Sequence, residues 1–234
     1  MHIRIMAGNI KMLILKTLKT ALISFIILNV AFLAYSLFVI IHAQKQTQTI
    51  YNDLANPDII RLQLEDLTDE QLKILITVED PKYFTHNGID FSTAGAGWTT
   101  ITQGLVKLYY FEHFKPGFAK IKQSLIARFV LNEKASKNDQ LKLFINKAYL
   151  GHIDGQRIEG FANASEFYFH KRFNQLNRDE YIAIIAMIIA PNDLDPIRHK
   201  QANYERSQRI KRLLDGHGKP NGWSDVWLEG CILI

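Results

Sequence analysis

One uncharged stretch constrains this chain before anything else does. Thr20 to Ala43 (TALISFIILNVAFLAYSLFVIIHA) carries no ionisable acid, lysine or arginine. About 20 apolar residues are enough for a helix to cross ~30 Å of hydrocarbon, and this run exceeds that. Asn29 is its one strongly polar interior side chain. A cleaved signal sequence would have a shorter apolar region, about 7–15 residues, followed by a small-x-small site. Ala34-Tyr35-Ser36 fits such a site, but Leu37-Phe38-Val39-Ile40-Ile41 continues the apolar run past it. The reading is an uncleaved single-pass anchor.

Its flanks predict orientation. Arg4, Lys11, Lys16 and Lys19 precede the span and residues 1–43 contain no acid. That asymmetry places the N-terminus in the cytoplasm and the rest outside a bacterial inner membrane. The same cations explain the formal net charge of +5. Without those four, 24 Lys+Arg face 23 Asp+Glu. A nucleic-acid reader would carry its charge on the folded domain, so that class is set aside. The single cysteine, Cys231, excludes an intramolecular disulfide.

The organisation expected is a basic segment at 1–19, the anchor at 20–43, a polar tether and entry segment at 44–66, a domain at 67–223 and a tail at 224–234. The domain reads as mostly α. Thr68 with Gln71 forms a capping box ahead of Leu72, Leu75 and Val78, and Pro81 stops that helix. Further helices are predicted at about Thr99–Phe111, at Ala119–Leu131 (burying Leu125, Ile126, Phe129 and Val130), at Ser136–Leu150 and over Arg157–Phe169. Asn177 caps an apolar helix (YIAIIAMIIA) too short to span, hence a core helix. An amphipathic helix at Ala202–Leu214 closes the series. Strand signal is confined to pieces such as Ile59–Leu64. Phe91–Trp98 (FSTAGAGW) is a small-residue loop, a candidate substrate flap.

The chemistry-bearing stretch is Glu79-Asp80-Pro81-Lys82-Tyr83-Phe84-Thr85-His86-Asn87-Gly88-Ile89-Asp90. Glu79 falls in the last turn of a helix, where the dipole disfavours a carboxylate, which predicts a raised pKa and a candidate base. Acidic helix ends on solvated surfaces are the plain alternative. His86 and Asp90 are expected to shape the site through pairing, and no Cys/His spacing suggests zinc.

In order and spacing these pieces resemble the peptidoglycan glycosyltransferases of family 51, the lysozyme-like domain of monofunctional transglycosylases and bifunctional penicillin-binding proteins. Glu79, Asp80, His86, Gly88 and Asp90 match the family's Glu-Asp-x-x-Phe-x-x-His-x-Gly-x-Asp, with Tyr83 at the phenylalanine. Gly97-Trp98-Thr99-Thr100-Ile101-Thr102-Gln103-Gly104-Leu105-Val106-Lys107 matches Gly-Gly-Ser-Thr-Ile-Thr-Gln-Gln-x-x-Lys. Asn146 ends a block like the family's Tyr-Leu-Asn. Gly160 through Lys171 resembles Gly-Ile-Glu-Ala-Ala-x-x-x-Tyr-Phe-x-Lys, with Ala162 at the glutamate. The Arg-Lys-x-x-Glu block departs most, reading Ala119-Lys120-Ile121-Lys122-Gln123. Gly104 replaces the second glutamine.

The resemblance implies a lysozyme-like fold and a substrate of lipid-linked disaccharide-peptide, polymerised onto a growing glycan chain with loss of undecaprenyl pyrophosphate. It implies Glu79 as base and Asp80, Thr99, Thr100, Gln103, Lys107, Lys120 and Gln123 as substrate-binding residues. Lys115 falls where the family has a further arginine, and Lys122 is an extra cation. Tyr83, His86, Asp90 and Asn146 would shape the site. No cofactor is required, with Mg²⁺ or Mn²⁺ the optional ion, and a separate transpeptidase would cross-link the product. Gln123, Ala119 and Gly104 together motivate the alternative, a weakened relative that binds precursor or a cell-wall partner. A lysozyme-like hydrolase would need a second acid, for which Asp90, Glu112 and Glu166 are the candidates.

Overall fold

The computed structural model describes residues 2–95, 97 and 99–231, with the side chains of 2–11 and 13 left out of the description. Arg4, Lys11 and Trp98, used above, therefore fall wholly or by their side chains outside it. The anchor lies within one long helix, α1 (His2–Gln46). Its apolar residues from Met12 to Phe38 are mostly exposed, as a lipid-facing surface would be. Its end is different: Val39 and Ala43 are buried in the core.

The segment expected to be a tether is folded. Gln48–Ala55 forms α2, whose Ile50 is fully buried. Asp53 accepts from Tyr109 Oη at 2.8 Å and pairs with Lys147 at 3.4 Å. The polar look of 44–53 is its solvent face. Ile59–Leu64 forms no strand. Asn146 satisfies it instead, Oδ1 accepting from Arg61 N and Leu62 N at 2.9 Å and Nδ2 donating to Leu62 O at 2.8 Å.

The remaining helices are α3 (Asp69–Glu79), α4 (Ile101–Tyr110), α5 (Phe118–Ile126), the short α6 (Asn132–Lys134), α7 (Lys137–Lys147), α8 (Phe161–Phe169), α9 (Arg178–Met187) and α10 (Lys200–Leu214). Caps set several starts. Thr68 on α3, Thr100 on α4 and Asn177 on α9 each make a reciprocal capping box. Helix α9 is the core helix: Tyr181, Ile182, Ile184, Ile185, Ala186 and Met187 are all fully buried.

Two further expectations fail locally. Between α5 and α6 the chain widens to a π turn at Ala127–Leu131, which turns Phe129 out to 48% exposure while Val130 stays buried. The helix drawn over Arg157–Phe169 begins instead as a strand. β1 (Tyr149–Ile153) and β2 (Gln156–Glu159) form an antiparallel hairpin with Ile153 opposite Gln156. Its turn is Asp154-Gly155, both at positive φ (50° and 82°), as a tight two-residue turn requires.

The C-terminal segment after α10 folds back. Asp225 accepts from the backbone N–H groups of Asn221, Glu229 and Gly230, and Leu228 and Cys231 join the core. Gly95 N donates to Gly222 O and Gly97 N to Trp223 O, both at 2.9 Å, strapping the small-residue loop to this segment.

Candidate active site

A cavity of about 490 Å³ opens where α3, α4, β1, the turn after α9, α10 and the C-terminal segment meet. Glu79 enters it from the last turn of α3, and Lys107 from the last turn of α4. Thr99, Thr100 and Gly104 form the wall between them. Arg206 from α10 and Val226 from the C-terminal segment face it from a different part of the fold. Val78, Phe144, Ile188 and Pro191 make the rest largely apolar.

That environment acts on the ionisable groups. Burial pushes the Glu79 carboxyl up to about 7; the Arg206 guanidinium opposes the rise and Asp80 adds to it. Desolvation, more than the helix dipole, is thus what poises Glu79 near neutrality. Burial holds Lys107 below the ordinary lysine range, and burial plus the neighbouring Lys107 charge brings Lys120 down to about 8. Lys120 Nζ donates to Thr99 Oγ1 at 2.9 Å, which ties Lys120 to the cavity wall although it does not itself line the cavity.

Several residues of the same sequence blocks support the cavity, and of these only Thr100 also lines it. Asp80 is fully buried, and its Oδ2 accepts from Ile101 N at 3.0 Å, fixing the first turn of α4. His86 Nε2 meets both Asp80 oxygens at 2.9 Å. Thr100 Oγ1 donates to Gly88 O at 2.8 Å while capping α4. Gly88 itself, at φ 87°, lies so near Ala127 that an added Cβ would come within 2.5 Å of that carbonyl oxygen. Tyr83 is buried, its hydroxyl donating to Lys137 O at 2.6 Å. Gln103 is fully buried and serves the α4 cap, with Nε2 donating to Ser124 Oγ at 3.0 Å. Burial alone would raise the Asp90 carboxyl, but donors from Thr93 and Ser92 outweigh it and hold it at about 2. Asn146 holds the backbone of Arg61 and Leu62 and lies outside the cavity lining.

Gln123 points inward as well. It is fully buried, its Nε2 donates to Gln103 O at 2.6 Å, and its Oε1 meets no partner among the described residues. Lys115 is exposed on the loop after α4, and Lys122 stacks on Phe111, 4.8 Å from its centroid, beside a different groove. Of the acids a hydrolase would need, Glu112 is exposed and Glu166 pairs with Arg61 at 2.7 Å, both outside the cavity lining. For a divalent ion the donors fit poorly: Asp80 is already engaged, Gln123 brings no charge, and no group of three His, Cys, Asp or Glu is assembled among the described residues. Arg206 and Val226 are among the cavity residues that sequence reasoning missed, with Tyr149, Ile188 and Ile189. Nothing local marks Arg206 among the basic residues of an amphipathic helix.

Comparison with known proteins agrees with this anatomy. The transglycosylase family model matches residues 45–215, and the chain belongs to that family. Its domain is accordingly lysozyme-like. Penicillin-binding protein 1A of Vibrio cholerae is 30% identical over 67% of this chain and 20% of its own length. Penicillin-binding protein 1F of Bacillus subtilis is 27% identical over 80% of this chain and 27% of its own. Penicillin-binding protein 1A of Escherichia coli is 29% identical over 67% and 19%. The chain thus spans roughly a fifth to a quarter of the length of these relatives.

Proposed function

We propose that this chain is a membrane-anchored peptidoglycan glycosyltransferase that polymerises lipid-linked disaccharide-peptide. One observation carries the reading: a carboxyl held near neutral pKa, Glu79, shares a cavity with a half-buried cation, Lys107, in a member of the transglycosylase family.

In this reading Glu79 takes the proton of the acceptor sugar's 4-hydroxyl as that oxygen forms its bond to the donor's anomeric carbon. The bond from that carbon to the pyrophosphate oxygen breaks on the opposite face, which inverts the centre. A base with a pKa near the operating pH is the best compromise between being deprotonated and being basic. The leaving pyrophosphate departs as an anion and needs neutralising charge rather than a proton. Lys107 and Lys120 supply it, with Thr99 orienting Lys120. Both lysines, held low by burial, gain proton affinity when a polyanion arrives.

The cationic residues before the span orient the N-terminus to the cytoplasm and the domain outside. Protease added to spheroplasts is expected to digest the domain; protection until lysis would overturn that topology.

The buried Gln123 amide favours one second reading, a relative that binds the precursor without polymerising it. The deciding experiment incubates the purified chain with lipid-linked disaccharide-peptide and scores polymer. Glycan strands support the enzyme; precursor binding without polymer, in a folded protein, supports the binder.

A further inference from the structure

Arg206 is the anomaly of the cavity. Only 3% of it is exposed, yet its Nε and Nη1 meet no hydrogen-bond partner among the described residues. Glu79 and Asp225 act on it through their charge, but neither forms an ion pair with it. Buried charges in folded proteins are normally paired, because removing an ion from water is costly without a partner. A guanidinium also offers five N–H donors in a rigid plane, and the three on Nε and Nη1 are left over here. The walls beside it, Val78, Ile188, Pro191 and Val226, are apolar, so a charge contact made there is weakly screened.

The side chain is held from outside the region that matches the family model. That match ends at residue 215, and the segment beyond it brings Trp227, whose ring centroid lies 5.9 Å from Arg206 Cζ. Arg209 Nη1 donates to Trp227 O at 3.2 Å, and Arg212 Nε donates to Cys231 O, fastening the segment to α10. Arg206 thus lines the cavity on a fixed, buried side chain whose Nε and Nη1 have no hydrogen-bond partner among the described residues. It also stands on a different element, α10, whereas Lys107 and Lys120 stand on α4 and α5.

We propose that Arg206 is an anion-binding subsite of this cavity, taking a carboxylate or phosphate oxygen of the substrate in its fork, and that Trp227 of the C-terminal segment holds the fork in place. The naming of the substrate rests on the glycosyltransferase reading. A planar pair of N–H donors matches the two oxygens of a carboxylate or phosphate, and lysine cannot reproduce that match.

The test measures binding, not turnover, with the full chain in detergent micelles. Two probes are used: lipid-linked disaccharide bearing its peptide, and the same lipid without the peptide. Arg206→Gln is expected to weaken binding roughly ten- to a hundredfold, the usual effect of losing a charged hydrogen bond, with thermal unfolding unchanged. Arg206→Lys should recover only part of the loss. A loss confined to the peptide-bearing lipid assigns a peptide carboxylate; an equal loss on both assigns a phosphate oxygen. Unchanged affinity in Arg206→Gln for both lipids overturns the subsite. Should Arg206→Gln fail to fold, Arg206→Lys and Trp227→Leu decide: weakened binding in both supports the subsite, and wild-type affinity in both overturns it. Arg206-dependent binding with no polymer would sink the enzyme reading and leave the subsite standing. Polymerisation with Arg206-independent binding would do the reverse.

Discussion

The two sides of the cavity treat their polar groups in opposite ways. On the α3–α4 side, Asp80, His86, Thr100 and Gln103 bond mainly to one another and to nearby backbone, and the first turn of α4 hangs from the Asp80 carboxylate. On the α10 side, Arg206 is almost as buried and has two nitrogens without partners among the described residues. A satisfied network rigidifies and specifies a geometry, while an unsatisfied charged group is held ready for a ligand. The difference explains why so many residues of the matching sequence blocks do not reach the cavity. They build the frame from which Glu79 and Lys107 project.

The largest expected effect comes from breaking the frame. Asp80→Ala leaves His86 and the Ile101 N–H buried without their acceptor, and should cost about 3 kcal/mol or more in unfolding free energy. Arg206→Met should do the opposite, with no loss of stability, because it removes an unpaired charge from apolar surroundings. Urea unfolding of both variants tests the pair. Equal destabilisation would mean that Arg206 belongs to the frame after all.

Next is the residue between the two sides. Glu79→Gln keeps the shape and cannot accept a proton, so polymerisation should fall about 10²-fold or more. Since the carboxyl titrates at about 7, wild-type activity should drop as pH falls through neutrality. Arg206→Gln removes the cation that opposes the rise, which should move this acid limb to higher pH. The linkage to stability runs the same way. A carboxyl raised from 4.5 to about 7 binds its proton more tightly folded than unfolded, so wild-type stability declines as pH rises across that window. Glu79→Gln should be the more stable protein at pH 8, and the gap should close at pH 4. Matching stability at both pH values would show that Glu79 is not desolvated.

Behind the frame, Gln123→Glu is a smaller break. The amide donates to the Gln103 carbonyl; a carboxylate would present an acceptor to an acceptor in a buried position. A loss of about 2 kcal/mol is expected, rather than a gained metal ligand. Polymerisation that rises and becomes dependent on added Mg²⁺ would contradict this geometry.

Much of the frame was legible in the sequence because it is local. Thr68 with Gln71 and Asn177 with Glu180 announce helix starts within four residues. His86 meets Asp80 across a single turn-rich stretch. The hairpin was missed although its Asp154-Gly155 turn is the strongest short-range hairpin signal, because the strands beside it are too short to show a period. Phe129 was misplaced because a π turn shifts the helical register, and nothing in residues 127–131 declares that shift. The role of Arg206 depends on which distant segments pack against α10, and Trp227 reaches it only through the folded C-terminal segment. Its neighbours in sequence, Glu205 and Ser207, are no guide.

The smallest effect separates the frame from the space it encloses. Gly104 lies inside α4 and also lines the cavity, a position where the matching sequence block of the family carries glutamine. Its backbone is not in the left-handed region, and an added Cβ would meet only the Phe144 ring, at an ordinary 3.7 Å. Ala is favoured over Gly in a helix interior by about 0.8–1.0 kcal/mol. Gly104→Ala should therefore raise the melting temperature by about 2 °C, since ~1 kcal/mol corresponds to 2–4 °C in a domain of this size. A lower melting temperature would mean that α4 cannot accept a methyl there, and that the frame is tighter than the contact to Phe144 indicates. The same methyl projects into the cavity between Glu79 and Lys107. If the substrate occupies that space, KM should rise while stability improves, splitting the two properties at one residue. If KM stays constant as the protein becomes more stable, the glycine is a plain gap in the wall and substrate passes elsewhere, nearer Arg206.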